Sequence, residues 1–246
     1  MSTCLNIEKM NFLAKIKEII IDFGAVVYPD YCPSCISYLE KNEDFICTKC
    51  KVKLPKTGSH LPDADNKAIV QRFEGRIKLA HVLSYLYFKK GSNVQSLLHK
   101  LKYASQPLIG EKLGLWYGTE LYEQGFKDVF DIIVPVPLHA LRQKKRGYNQ
   151  SEAFGKGLAQ GLDIPQITHA FVRTQYTDTQ TKKQRMERAD NVENIFQIKD
   201  ANALKNKHIL LVDDVVTTGA TLFECVLSLE TAQPKSISIA TIAVAG

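Results

Sequence analysis

A chain of 246 residues, 45% of them hydrophobic, is long enough for one sizeable α/β domain and a smaller module, which excludes a scaffold too small to bury a core. Lys and Arg number 32 against 26 Asp and Glu, a mildly basic balance that agrees equally with a small anionic ligand and with weak nucleic-acid contact. Charges interrupt the apolar residues near the N-terminus and no run is long enough to span a bilayer, so the expected location is the cytoplasm, with no membrane insertion.

Apolar residues recur at helical intervals over residues 7–23 and predict an amphipathic helix ending near Gly24. Cys32-Pro33-Ser34-Cys35 and Cys47-Thr48-Lys49-Cys50 follow, with eleven residues between them. Each Cys-x-x-Cys knuckle can grip one side of a tetrahedral ion, and four thiolates in a reducing compartment suit zinc, with iron in a rubredoxin-like site as the alternative. Four cysteines fill the coordination sphere, so the metal is expected to staple the fold and not to catalyse. Residues 51–67, with Pro55, Gly58 and Pro62, predict an irregular connection, and the chain divides into a module over residues 1–66 and an α/β domain over residues 67–246.

Residues 77–88 predict one strand or a strand pair, in which the isolated His81 is expected to be a satisfied structural group. Residues 94–103 and 108–123 predict two helices parted by Pro107. Residues 131–139 predict a buried strand that runs into a proline-stiffened loop, and a further helix opens at Gly147-Tyr148-Asn149-Gln150. Between them stand Arg142, Lys144, Lys145 and Arg146. Alone, that run is a solvated charge cluster or a nucleic-acid patch; behind a buried strand and ahead of a helix start, it is a loop able to hold an anion. Residues 171–188 are polar and poor in apolar side chains, which predicts a mobile loop.

Residues 207–221, KHILLVDDVVTTGAT, organise the rest. A buried strand delivers Asp213 and Asp214 and leads into Thr217-Thr218-Gly219-Ala220-Thr221, and the helix expected over residues 222–231 points its free amides back at that turn. Two carboxylates suit a pair of vicinal hydroxyls, the threonine hydroxyls suit a phosphate, and Gly219 permits a tight turn, so together they fit a ribose 5-phosphate. Residues 235–244 predict the strand that completes a βαβ unit, which places the acid pair and the basic loop at the carboxyl ends of parallel strands, the usual ligand crevice of an open sheet.

VDDVVTTGAT resembles the phosphoribosyl pyrophosphate (PRPP) loop of type I phosphoribosyltransferases. LLHKLKYASQPLIGEKLG, VPVPLH followed by RGYNQ, the polar stretch from Arg173 to Phe196 and the cysteine knuckles are similar to the ComF family of competence-related phosphoribosyltransferases. The resemblance implies an α/β protein with the type I phosphoribosyltransferase fold, an open, mostly parallel sheet with flanking helices, plus a small N-terminal four-cysteine zinc module. It implies that Asp213, Asp214, Val215, Thr217, Thr218, Gly219, Ala220 and Thr221 bind PRPP, and that Pro137, Leu138, His139, Arg142 and Arg146 bind the leaving pyrophosphate. Asp213, Asp214, Arg142 and Arg146 form the implied catalytic set, magnesium accompanies PRPP, and residues 171–188 are the implied closing flap. The implied partners are PRPP, a nitrogenous acceptor of unknown identity, and single-stranded DNA or the DNA-uptake machinery. A PRPP-sensing or DNA-binding accessory protein without catalysis is the alternative. No stretch identifies the acceptor, and Tyr28, Tyr31 and Phe45 beside the cysteines are the aromatics available for a hood over it.

Overall fold

A computed structural model describes residues 30–64, 66–174 and 195–245. The helix expected over residues 7–23, Tyr28 and most of the expected flap lie outside the described residues. Two compact units, Met1–Lys53 and Leu54–Gly246, make up the chain. Their division falls ahead of the 66/67 boundary expected from composition. The physical reason is that the backbone beyond Lys53 is already engaged: Thr57 N–H donates to Tyr85 O (2.9 Å), Tyr87 N–H donates to Pro55 O (2.8 Å), and the buried Ser59 hydroxyl reaches Ser84 O (2.9 Å). Proline and glycine there reflect irregular backbone, not missing contacts.

The first unit is built on turns around the cysteines and one short helix, α1 (Thr48–Val52). Glu43 organises its entry by accepting hydrogen bonds from the Thr48 and Glu40 amides, at 2.6 and 3.1 Å.

The second unit opens with α2 (Lys67–Val70) and continues through β1 (Val82–Phe88), α3 (Asn93–Tyr103), α4 (Pro107–Glu123), β2 (Ile132–Pro135), α5 (Ala140–Arg146) and α6 (Gln150–Leu162). It then adds β3 (Phe171–Arg173), β4 (Phe196–Ile198), β5 (His208–Val216), α7 (Ala220–Glu230) and β6 (Ser236–Ala245). Four strands form a wholly parallel sheet in the order β1-β6-β5-β2, while β3 and β4 pair antiparallel as a separate ribbon. Residues 209–212 of β5 are at most 1% exposed, the burial expected of a strand covered by helices on both faces, and this is why its sequence is continuously apolar instead of alternating. Polar groups inside the sheet are paired, as where Thr241 Oγ1 donates to Ser84 Oγ at 3.1 Å. His81 packs edge-on against Phe126 and Phe130, the structural role expected of it, and burial lowers its pKa.

Helices α4 and α6 meet backbone to backbone. A Cβ added at Gly157 would lie 1.9 Å from Glu111 O, and one at Gly114 would lie 2.1 Å from Phe154 O. This close approach seats α6 against the sheet with its first turn at the end of β5. Two expectations need correction. The basic run is not a loop but the helix α5, bounded by His139 as N-cap and by Gly147 at φ +88°. Phe171 and Val172, expected in a mobile loop, belong to β3, where Phe171 is 2% exposed and stacks on Phe196 at 5.4 Å. Among the described residues no helix is long and apolar enough to cross a membrane.

Candidate functional site

The carboxyl end of β5 carries the acid pair. Asp213 Oδ1 accepts hydrogen bonds from Ser151 Oγ and from the Asp214 amide, both at 2.8 Å. Burial and the adjacent Asp214 push the Asp213 carboxyl up to about 7, against the opposing pull of Ser151, the Asp214 amide and Lys102. Asp214 Oδ2 lies 3.0 Å from Lys102 Nζ of α3, with the two side chains 14% and 29% exposed. Two carboxylates here can accept hydrogen bonds from hydroxyls or share a divalent cation.

Beyond β5 the chain turns through the exposed Thr217 and Thr218 to Gly219, which adopts φ +78° as the N-cap of α7. A side chain at 219 would also strike Phe73, whose ring lies 2.8 Å from the position of a Cβ. Arg72 donates from Nη1 to Val216 O (3.0 Å) and to Thr217 O, and from Nη2 to Ala245 O. The turn is thus backed by two consecutive residues of the chain. The amides that open α7 face it from the helix side, and free amides with the positive end of a dipole make a setting for an anion.

The neighbouring strand β2 ends beside it, since Val134 and Pro135 pair with Leu211 and Val212. Asn149 supports the segment that follows: its Nδ2 donates to Val136 O (2.9 Å) while its Oδ1 caps the Ser151 amide (3.0 Å). The helix start Asn149-Gln150-Ser151, at 7%, 3% and 4% exposure, therefore ties the β2 loop to Asp213. His139 uses Nδ1 to accept from the Leu141 amide at 3.2 Å. Pro137 and Leu138 line a cavity of about 350 Å³ together with Gln143, Asn149, Glu152 and Arg173. Arg173 is held below its ordinary pKa by burial and by Arg142, and Asp213 opposes that shift, so the three groups share one electrostatic neighbourhood. The Arg146 guanidinium lies over the Tyr103 ring at 5.7 Å, and Tyr148 Oη donates to Leu101 O. The last turn of α3 thus touches both the acid pair and the basic helix.

In the first unit the four sulfur atoms of Cys32, Cys35, Cys47 and Cys50 lie within 4.8 Å of one another, with Cys35 and Cys47 3.6 Å apart. A tetrahedral zinc ion with sulfurs at about 2.3 Å sets its ligands roughly 3.8 Å from each other, so this cluster fits such an ion. Burial raises the Cys47 thiol to about 12, whereas hydrogen bonds from Ser37 lower Cys35 to about 6. Phe45, one of the aromatics considered for a hood, is 6% exposed.

Residues 148–246 match the phosphoribosyl transferase domain family. Over 197 residues the chain is 30% identical to the DNA utilization protein YhgH of Escherichia coli K12, covering 78% of this chain and 81% of that protein. The chain belongs to the ComF family of phosphoribosyltransferase-like proteins. It is 27% identical over 216 residues to Competence protein ComFC of Bacillus subtilis, covering 83% and 86% of the two chains. Competence protein F of Haemophilus influenzae is 39% identical over 95 residues, a match that spans 38% of this chain and 42% of that protein.

Within this ComF-family protein, Asp213, Asp214 and residues 217–221 form one continuous feature, with Pro137, Leu138 and His139 on the adjoining strand end. Gln180, Lys182, Lys183, Arg185, Arg188 and Asn191 of the expected flap lie outside the described residues. Sequence reasoning passed over Lys102, Ser151 and Arg72. Lys102 stands inside the family-like stretch LLHKLKYASQPLIGEKLG and Ser151 directly follows RGYNQ, which was a usable signal. Arg72 carries none, because its partners are main-chain carbonyls, which residue types do not reveal.

Proposed function

We propose that this protein binds PRPP with magnesium at the carboxyl ends of β5 and β2 and transfers the 5-phosphoribosyl group to a nitrogenous acceptor, releasing pyrophosphate. The observation that carries this reading is a half-buried acid pair, followed after two valines by a threonine-glycine turn at a helix start, with a second donor-bearing segment after the adjoining parallel strand. In this reading Asp213 and Asp214 accept from the ribose 2- and 3-hydroxyls, and residues 217–221 supply amides and hydroxyls to the 5-phosphate. The Leu138 and His139 amides, with Arg142 and Arg146, receive the pyrophosphate. Arg173 joins them as a further cation near Asp213.

The bond from C1 to the pyrophosphate oxygen breaks as a bond from the acceptor nitrogen forms. Positive charge then grows on the ribose and negative charge on the departing group. The chain's own contribution is to hold the two ends of one sugar phosphate in register and to face the leaving charge with fixed cations. Magnesium, if bound with PRPP, would offset negative charge on the leaving group, and Asp213 and Asp214 are the carboxylates that would hold it. The names of the family relatives, competence and DNA utilization, support a place for the reaction in the handling of incoming DNA.

Calorimetry with PRPP and magnesium tests the reading. The natural protein is expected to bind, and Asp213→Ala/Asp214→Ala to lose at least about two orders of magnitude of affinity, since two hydrogen-bonded charged groups are removed. No binding by the natural protein would overturn the proposal. Pyrophosphate release in a panel of nitrogenous acceptors is the expected sign of an enzyme, and PRPP binding with no release for any acceptor would identify a sensor.

A further inference from the structure

We propose that Arg72 is a positioning residue for the 5-phosphate cradle, orienting the Thr217 and Thr218 amides toward the anion without touching it; this rests on the reading of the turn as a phosphate site. A trans peptide is planar, so its C=O and its N–H point in opposite directions. The described residues contain no cis peptide bond. When Arg72 holds Val216 O, the N–H of Thr217 is directed away from the guanidinium, and when it holds Thr217 O the same follows for Thr218. Two successive amides are thereby turned to the exposed side of the turn, where Thr217 and Thr218 meet solvent.

The converse arrangement is the one Arg72 prevents. A peptide rotated by half a turn would aim a carbonyl lone pair at the phosphate oxygens, replacing a donor with a repulsive acceptor. The planar guanidinium suits this work, because its fork of donors can serve several carbonyls in fixed directions where a lysine offers one mobile point charge. Its other arm reaches Ala245 O at the end of β6, which ties the turn to a strand of the central sheet. Phe73 fills the space behind Gly219, so the adjacent side chain supports the far end of the same turn.

Titration of ribose 5-phosphate, PRPP with magnesium, and inorganic pyrophosphate into the natural protein, Arg72→Met and Arg72→Lys separates this role from a general loss of structure. Both variants are expected to bind ribose 5-phosphate and PRPP about tenfold more weakly while pyrophosphate affinity stays within about twofold, because only the phosphate-facing amides are affected. Wild-type affinity for ribose 5-phosphate in Arg72→Met, or full affinity in Arg72→Lys, overturns the inference. If the variants do not fold, amide resonances of the natural protein decide: Thr217 and Thr218 are expected to move downfield as ribose 5-phosphate is added, and binding without movement overturns the role. Failure of the natural protein to bind either ribose phosphate would instead sink the parent reading of the site.

Discussion

Asp213 is an acid whose ionisation the fold opposes, through burial and the adjacent Asp214. Its pKa is raised from 3.8 to about 7, so between those values the folded chain retains a proton that the unfolded chain has released. This group's contribution to stability is therefore complete below 3.8, declines as pH rises, and is gone above about 7. Asp213→Asn, which has no proton to lose, should remove that slope. Melting curves without ligand from about pH 5 to about pH 8 are expected to show the natural protein losing stability relative to the variant by a few degrees, and parallel curves would show that Asp213 ionises like a surface carboxyl. At this scale the acid pair and the threonines were legible because their order along the chain is their order in space. Lys102 and Ser151 reach the same carboxylates from other helices, so only the fold brings them together.

Among the elements, the misread one is instructive. Ala140–Arg146 looked like a loop because a charge run follows prolines, yet Ala, Leu, Arg, Gln and Lys are all good helix formers. Its boundaries were also present in the residues, a capping His139 on one side and Gly147 on the other. As a helix it places Arg142 and Arg146 four residues apart on one face, which a loop would not guarantee. The seam between α4 and α6 was not legible at all, since glycine inside a helix reads as a weakness until a second backbone is seen against it. Gly157→Ala tests that seam. The added carbon would fall on Glu111 O, so the variant is expected to lose about 3 kcal/mol or fail to fold, measured by denaturant unfolding. A change below about 0.5 kcal/mol would show that the helices part at no cost.

At the scale of the whole molecule, the fold class and the four-cysteine cluster were legible from strand pattern and cysteine spacing, whereas an acceptor site was not, because no stretch of the chain carries a pattern that marks one. Every described residue of the proposed anion site belongs to Leu54–Gly246, while the cysteines belong to Met1–Lys53. Metal analysis is expected to find a single zinc ion per chain. Chelation, or Cys47→Ser, should abolish that ion and the ordered amide signals of residues 30–53 while PRPP affinity stays within about twofold. Iron in the purified protein, or loss of PRPP affinity on chelation, would contradict this. The strand order has one more consequence. In β1-β6-β5-β2 the strand latest in the chain occupies an interior position, and the described sheet pairs β1 in parallel with β6 alone. During translation, β1 must wait for residues 236–245 with its edge open, and β5 has one bare edge until the same moment. The turn at residues 217–219, the proposed phosphate site, inherits that delay, because Arg72 finds its third carbonyl at Ala245. Until β6 pairs, β1 and β5 keep facing edges unpaired and Arg72 lacks its third acceptor, so closing the sheet and tying down the turn are one event.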